Sequence, residues 1–302
     1  MGCCYSSCHS RSLGHFHGDK KHFALKLPHG EDYLEYDEKS DSLVLRKNIN
    51  EFTQKLYTGS SWTHWIVYND DPPVISHTKR GHSKGILAWN ESRISWLCHS
   101  VPCFPKSFTG HTISPIEPKE LIYGQSFQYI EIPFSQDSIT KIIHQLYWME
   151  VNMYNVQGYM LKPFRVVNEK NEISEIQLTP RITHIAKSPR HEIDIYSDYL
   201  THHYTCSWYV ESWIRSHAFE PCSTVTDIRA LLFCDETTNE KREYSEKQDH
   251  SKWAVSFEHD MYWIGDLNRM TSQKKRGGGG FVCFDAGLKR ALSKLIVIQP
   301  VV

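Results

Sequence analysis

The sequence predicts an α/β (α+β) protein made of two similar β-sheet halves flanked by helices, with one site at their interface. Three observations carry that expectation. The tripeptide His-Ser-Lys occurs twice, as His82-Ser83-Lys84 inside Arg80-Gly81-His82-Ser83-Lys84-Gly85, and as His250-Ser251-Lys252 after Asp249. Each copy leads into an apolar stretch, Gly85-Ile86-Leu87-Ala88-Trp89 and Trp253-Ala254-Val255, that reads as a strand; period-2 alternation then puts His and Lys on one face. Between them Ile139, Ile142, Ile143 and Leu146 recur at helical spacing.

The pattern His-x-Lys is weak alone, because a chain this rich in His and Lys holds about one copy by chance. A third copy, His77-Thr78-Lys79, sits in a polar Pro/Ser/Thr stretch and enters no strand-like run. An exposed His and Lys explain that copy, and would explain either of the others taken singly. The shared middle residue and the apolar run behind it separate the two.

At 302 residues with 40% apolar and 13% aromatic side chains, the chain holds enough material for one large domain or two. Its formal net charge of −1 supplies no global basic field, so a polyanion needs local patches such as Lys79-Arg80 with Lys84, or Lys274-Lys275-Arg276. No run of 18 apolar residues spans a membrane. The nine cysteines include no Cys-x-x-Cys pair, which argues against a structural metal and leaves one or two disulfides open.

Taken in order, residues 1–21 form a polar Cys/His/Ser-rich segment without the apolar core of a secretory signal. They match Met-Gly-x-x-x-Ser through Gly2 and Ser6, a myristoylation pattern, and Cys3 and Cys4 are then candidates for palmitate and membrane association. Residues 22–160 make the first half and 161–302 the second. In the first, Ala24–Leu27, Tyr33–Tyr36, Trp65–Tyr68 and Ile94–Leu97 read as strands, with turns at Asn69–Pro73 and Asn90–Ser92. In the second, Tyr196–Trp213 reads as helix with Tyr204, Trp208 and Trp213 as core, Thr237–Gln248 as a solvated loop, and Met261–Ile264 as a strand. Gly277–Gly280 reads as a flexible loop or one whose N–H groups approach a phosphate; it fits no nucleotide fingerprint.

The order and spacing of these segments resemble deoxyribonuclease II, of the phospholipase D-like superfamily. Tyr68-Asn69-Asp70 with Pro72-Pro73, the first His-x-Lys box, His99-Ser100-Val101-Pro102 with Phe104-Pro105, and Tyr123-Gly124-Gln125 carry the likeness. So do Asp194-Ile195-Tyr196-Ser197, Asp249–Trp253, Gly265-Asp266-Leu267-Asn268-Arg269 and Arg276-Gly277-Gly278-Gly279. Cys222 and Cys283 stand where the family has Cys, whereas Ile264 stands where a partner of Cys283 is sought. No acidic third residue follows either Lys, which is part of the same likeness.

The resemblance implies an acid endodeoxyribonuclease that hydrolyses DNA without metal or cofactor, through a covalent phosphohistidine, leaving 3′-phosphate and 5′-hydroxyl ends. It assigns attack to His82, acid and base work to His250, and grip on the phosphate to Lys84, Lys252 and Asn268. Ser100, Arg80, Arg269, Arg276, Lys274 and Lys275 are secondary phosphate or DNA contacts. It implies a lysosomal or secreted setting, against which the acylation-like N-terminus stands. One neutral and one charged His, beside lysines that disfavour imidazolium, imply a mildly acidic working pH. The alternatives are a phosphodiesterase of the same fold acting on lipid, and a non-catalytic DNA-binding or toxin-like relative. A metal-dependent nuclease using His15, His17, His202 and His203 has no supporting spacing.

Overall fold

The computed structural model of the chain describes residues 19–73, 80–158, 173–214, 222–235 and 238–297. Among them, eight strands form one sheet. They are β1 (Lys20–Lys26), β2 (Tyr33–Asp37), β3 (Ser42–Arg46), β4 (His64–Asn69), β5 (Lys84–Trp89), β6 (Arg93–His99), β7 (Gln125–Pro133) and β8 (Met153–Gln157). Their order is β3-β2-β1-β7-β6-β5-β4-β8. A second sheet begins with β9 (Ile173–Thr179), β10 (Ile182–Lys187), β11 (Trp208–Glu211) and β12 (Val225–Asp227). After a separate ribbon of β13 (Ala230–Cys234) and β14 (Lys241–Ser245), it is completed by β15 (Trp253–Ser256), β16 (Met261–Gly265) and β17 (Gly278–Phe284). Its order, β9-β10-β17-β16-β15-β11-β12, repeats the first sheet's β2-β1-β7-β6-β5-β4-β8 strand for strand. The repeat breaks at the last place: β8 runs antiparallel to β4, but β12 runs parallel to β11.

The two sheets pack face to face. Alternate residues of each strand supply the shared core: Leu87 and Trp89 of β5, and Trp253 and Val255 of β15, point inward with Trp96, Tyr262, Ile264 and Phe281. Trp96 meets Phe281 edge-on at 5.0 Å, and Tyr262 donates its hydroxyl to Gln128 Oε1 at 2.8 Å across the gap. The intervening residues, Ile86 and Ala88 on one side and Ala254 on the other, face two outer cores. Burial on both faces is why these strands read as continuous apolar runs. The helix α1 (Ile49–Lys55) covers the outer face of the first sheet, and α2 (Gln136–Trp148), capped by Ser135, sends Ile139, Ile142, Ile143 and Leu146 into the shared core. A wide helical turn over Ile195–Leu200 with α3 (Thr201–Tyr204) covers the second sheet. The C-terminal α4 (Ala286–Ser293), capped by Asp285, joins the shared core through Leu288 and Leu292. Among the described residues no helix is long and apolar enough to cross a membrane.

Three expectations need correction. The helix expected over Tyr196–Trp213 stops at Thr205, whose φ of 51° is left-handed, and Trp208–Glu211 becomes a strand paired with β15. Aromatic richness did not distinguish the two states. The stretch expected as a loop over Thr237–Gln248 contains β14, the polar strand of a two-stranded ribbon, of whose own five side chains Tyr244 is the buried one while β13 supplies Ala230, Leu231 and Phe233. Gly278–Gly280 is no loop: it opens β17, fully buried. A Cβ there would collide with Leu267 or with the backbone oxygens of Ile185 and Ile264, so the glycines permit close packing.

Candidate active site

Both histidines lie in loops just ahead of their strands, and each loop is fastened to the opposite half. The His82 N–H donates to the Gly277 carbonyl at 2.7 Å, while the His250 N–H donates to the Gly124 carbonyl at 2.9 Å. Gly277 and Gly124 each stand directly before the strand, β17 or β7, that lies near the middle of the other sheet. A side chain at either would strike Met149 O or the Asp249 carboxylate. Below each glycine, a lysine with no exposed surface ends the neighbouring strand. Lys26 donates to the carbonyls of Leu27, Leu121 and Tyr123 at 2.7, 2.7 and 2.6 Å. Lys187 donates to those of Ser188, His191 and Lys274 at 3.3, 2.8 and 2.8 Å. Each ammonium thereby satisfies carbonyls that the turn leaves without strand partners. The middle serines of the two boxes are both buried: Ser251 gives its hydroxyl to Asp249 at 2.7 Å, and Ser83 gives its to Met149 Sδ at 3.9 Å. Asp249 and Asp266 are buried beside them, and burial raises both carboxyls, Asp266 to about 7.

Around His82 the setting is ionic. Its Nδ1 donates to the Asp266 backbone oxygen at 2.6 Å, since a carbonyl can only accept. Nε2 is thereby left as the basic nitrogen of the neutral ring, and it faces Asp70 Oδ2 at 3.9 Å. Burial, together with Lys84, Lys252 and Arg276, pushes the imidazole down to about 3 against the opposing pull of Asp70. Asp70 itself is salt-bridged to Lys84 and, at 3.0 Å, to Arg276. Although burial alone would raise it, these cations and His82 hold the carboxyl well below the ordinary range.

His250 sits in an aromatic setting. Tyr123 stacks on its ring at 4.1 Å and 14°, and Trp213 lies against it at 3.9 Å. Lys252 donates to the His250 carbonyl at 2.5 Å and pairs with no carboxylate among the described residues. Burial and then Lys84 lower its ammonium to about 7, against Asp70, Asp249 and Asp266. Lys84 is thus near enough to act on the charge of Lys252, which puts one lysine from each half in a single cluster.

The remaining candidates divide. Asn268 is buried on the loop after β16, and its side-chain oxygen has no partner among the described residues. The Ser100 hydroxyl donates to Gln125 Oε1 at 2.6 Å and accepts from the Ser126 N–H at 2.9 Å, which ties β6 to β7. The Arg269 guanidinium is buried between Asp194 (3.1 Å) and Asp227 (2.7 Å), an internal ion pair apart from the His82 cluster. Arg276 belongs to that cluster and also donates to the Arg80 carbonyl at 2.7 Å. The Arg80 residue is exposed at its edge. Lys274 lends its carbonyl to Lys187, and Lys275 is solvated beside Glu192 at 3.7 Å. Gly2, Cys3, Cys4 and the third His-x-Lys copy lie outside the described residues.

Sequence reasoning gave no role to Asp70, Tyr123, Gly124, Lys26 or Lys187, and read Gly277 only as part of a loop that is flexible or approaches a phosphate. The signal was there in part: Tyr123-Gly124 and Arg276-Gly277 each precede a strand two elements after a box or its counterpart. Trp213, read as core, is half-buried against His250. The described cysteines, Cys222 and Cys283 among them, are all free thiols. Among the described residues no group of three His, Cys, Asp or Glu is placed to hold a metal ion.

The sequence model of the deoxyribonuclease II family matches residues 22–300. Deoxyribonuclease-2-alpha of Sus scrofa is 28% identical over 80% of this chain and 71% of its own length. Cell-death-related nuclease 7 of Caenorhabditis elegans is 26% identical over 90% and 80%, and deoxyribonuclease-2-beta of Rattus norvegicus 30% over 84% and 79%.

Proposed function

The chain belongs to the deoxyribonuclease II family, and from that premise we propose that it is an acid endodeoxyribonuclease of phospholipase D-like mechanism, each sheet being one half of its site. The observation that carries the reading is the reciprocal seating of His82 by Gly277 and His250 by Gly124, which brings both boxes to one cationic cluster.

A phosphodiester needs a nucleophile, cations on its non-bridging oxygens and a proton for the leaving oxygen. The basic Nε2 of His82 attacks phosphorus; the charge that appears on the ring is met by the Nδ1–H bond to Asp266 O. The P–O5′ bond breaks, and imidazolium His250 gives its proton to the departing oxygen. Tyr123 presents a ring face that favours the charged form of what is stacked on it, and Trp213 lies tilted against the same imidazole. Neutral His250 then takes a proton from water, hydroxide attacks phosphorus, and the N–P bond breaks to release a 3′-phosphate. Lys84, Lys252 and Asn268 hold the phosphoryl oxygens; Arg269 positions the loop that carries Asn268.

Plasmid DNA incubated at pH 5 with EDTA tests this. The protein is expected to cut it to fragments bearing 3′-phosphates, and His82→Ala to lose about 10³-fold or more of that rate. Lipid headgroup release with intact DNA would move the substrate to lipid. DNA retention without cleavage would make the protein a binding relative.

A further inference from the structure

His82 directs its reactive nitrogen at a carboxylate. With Nδ1 committed to Asp266 O, Nε2 is the nitrogen left free to react, and Asp70 Oδ2 stands 3.9 Å from it. A phosphorus under attack must lie about 3–3.5 Å from the attacking atom, in that same space. The cations that would meet its oxygens on this side are Lys84 and Arg276, and both are engaged by Asp70, one on each carboxylate oxygen. A carboxylate forked between two cations reproduces the outline of two non-bridging phosphoryl oxygens. Two anions sharing the same pair of cations repel each other strongly.

We infer that Lys84 and Arg276 form a phosphoryl-oxygen subsite that Asp70 occupies in the free protein, so that a substrate phosphate enters by displacing the Asp70 carboxylate. The inference rests on His82 Nε2 being the attacking atom. Asp70 follows β4 directly and precedes Pro72-Pro73, so its side chain swings on a turn without any strand bond of β4 being broken. Lys252, which has no carboxylate partner, supplies the side of the seat that Asp70 leaves open.

Inorganic sulfate is the probe, because it is tetrahedral and holds one charge state across the working range. Its affinity is measured by calorimetry at pH 6 on the full chain. Asp70→Asn keeps the shape and removes the competing charge, and is expected to tighten sulfate about tenfold or more. Unchanged or weaker binding would overturn the inference and make Asp70 a group that holds its two cations in place. Lys84→Ala and Arg276→Ala separate the two levels of argument. If neither weakens sulfate binding, the anion site itself is misplaced and the catalytic reading fails with it. If both weaken it while Asp70→Asn does not strengthen it, only the role of Asp70 fails. Should the Asn variant not fold, a crystal of the unaltered protein in sulfate decides: the ion is expected on Lys84 and Arg276 with the Asp70 carboxylate turned away, and any other arrangement overturns the inference.

Discussion

His82 and His250 are each fastened through the backbone to a glycine of the opposite half, yet the ring of one stands beside a carboxylate held by two cations while the ring of the other is stacked on Tyr123 with Trp213 tilted against it. The shared part is the seat: a glycine before a central strand and a buried lysine beneath it. The differing part comes from two places. The residue ahead of the glycine is Arg276 in one half and Tyr123 in the other. The strand beside each box is followed by Asp70 in one half and by Ser212-Trp213 in the other. A duplicated frame thus carries unlike surroundings, which is what a reaction needing one neutral and one protonated imidazole requires.

The largest effect comes from asking the two rings to do separable work. Thymidine 3′-(p-nitrophenyl phosphate) releases a leaving group that needs no proton. His250→Ala is expected to lose about 10³-fold or more on DNA, yet to release a burst of about one nitrophenolate per protein molecule, because attack by His82 still proceeds. His82→Ala is expected to lose both. A burst from His82→Ala instead would exchange the two roles and break the comparison as drawn.

Next in size are the two buried lysines. Replacing either by Met removes three ammonium hydrogen bonds from buried turns, and each variant is expected to lose about 3 kcal/mol of stability in urea unfolding. Their catalytic signatures should part. Lys26 holds the backbone of Tyr123, which stacks on His250, so Lys26→Met is expected to slow DNA cleavage more than the nitrophenyl burst. Lys187 ties the Lys274 turn that leads to Arg276, so Lys187→Met is expected to slow both. Equal signatures from the two would mean the lysines serve stability alone.

What the sequence made legible follows the same division. The repeat itself was readable, because His-Ser-Lys ahead of an apolar run is a local pattern and β5 and β15 are buried on both faces. The surroundings were not. Asp70 lies 12 residues ahead of His82 in sequence and reaches it only through the turn after β4. Arg276 and Tyr123 approach from opposite halves, a pairing set by strand order rather than by spacing. Arg269 shows the reverse difficulty. It sits one residue after Asn268 and reads as a phosphate contact, but Asp194 holds its Nε and Asp227 its Nη1 in a buried ion pair. The glycines of β17 read as slack because a side chain's absence looks the same in a loop as in a strand packed too tightly to admit a Cβ.

The smallest predicted effect distinguishes the two lysines of the boxes. Lys84 is salt-bridged to Asp70, whereas Lys252 has a backbone carbonyl and, across the cluster, another cation. Burial and that neighbour bring the Lys252 ammonium down to about 7. On the proposed mechanism the charged form, present below that pH, is the one that grips a phosphoryl oxygen; as pH rises through it the proton leaves, so activity should fall on the alkaline side. Arginine stays charged throughout. Lys252→Arg is therefore expected to raise the ratio of kcat/KM at pH 8 to that at pH 5 by up to about tenfold, even as its poorer fit lowers the value at pH 5. Lys84→Arg, whose cation already rests on a carboxylate, should leave the ratio where it was. If Lys252→Arg leaves it unchanged too, the alkaline limb belongs to the proton on His250, and the difference between the lysines is one of structure without consequence for the reaction.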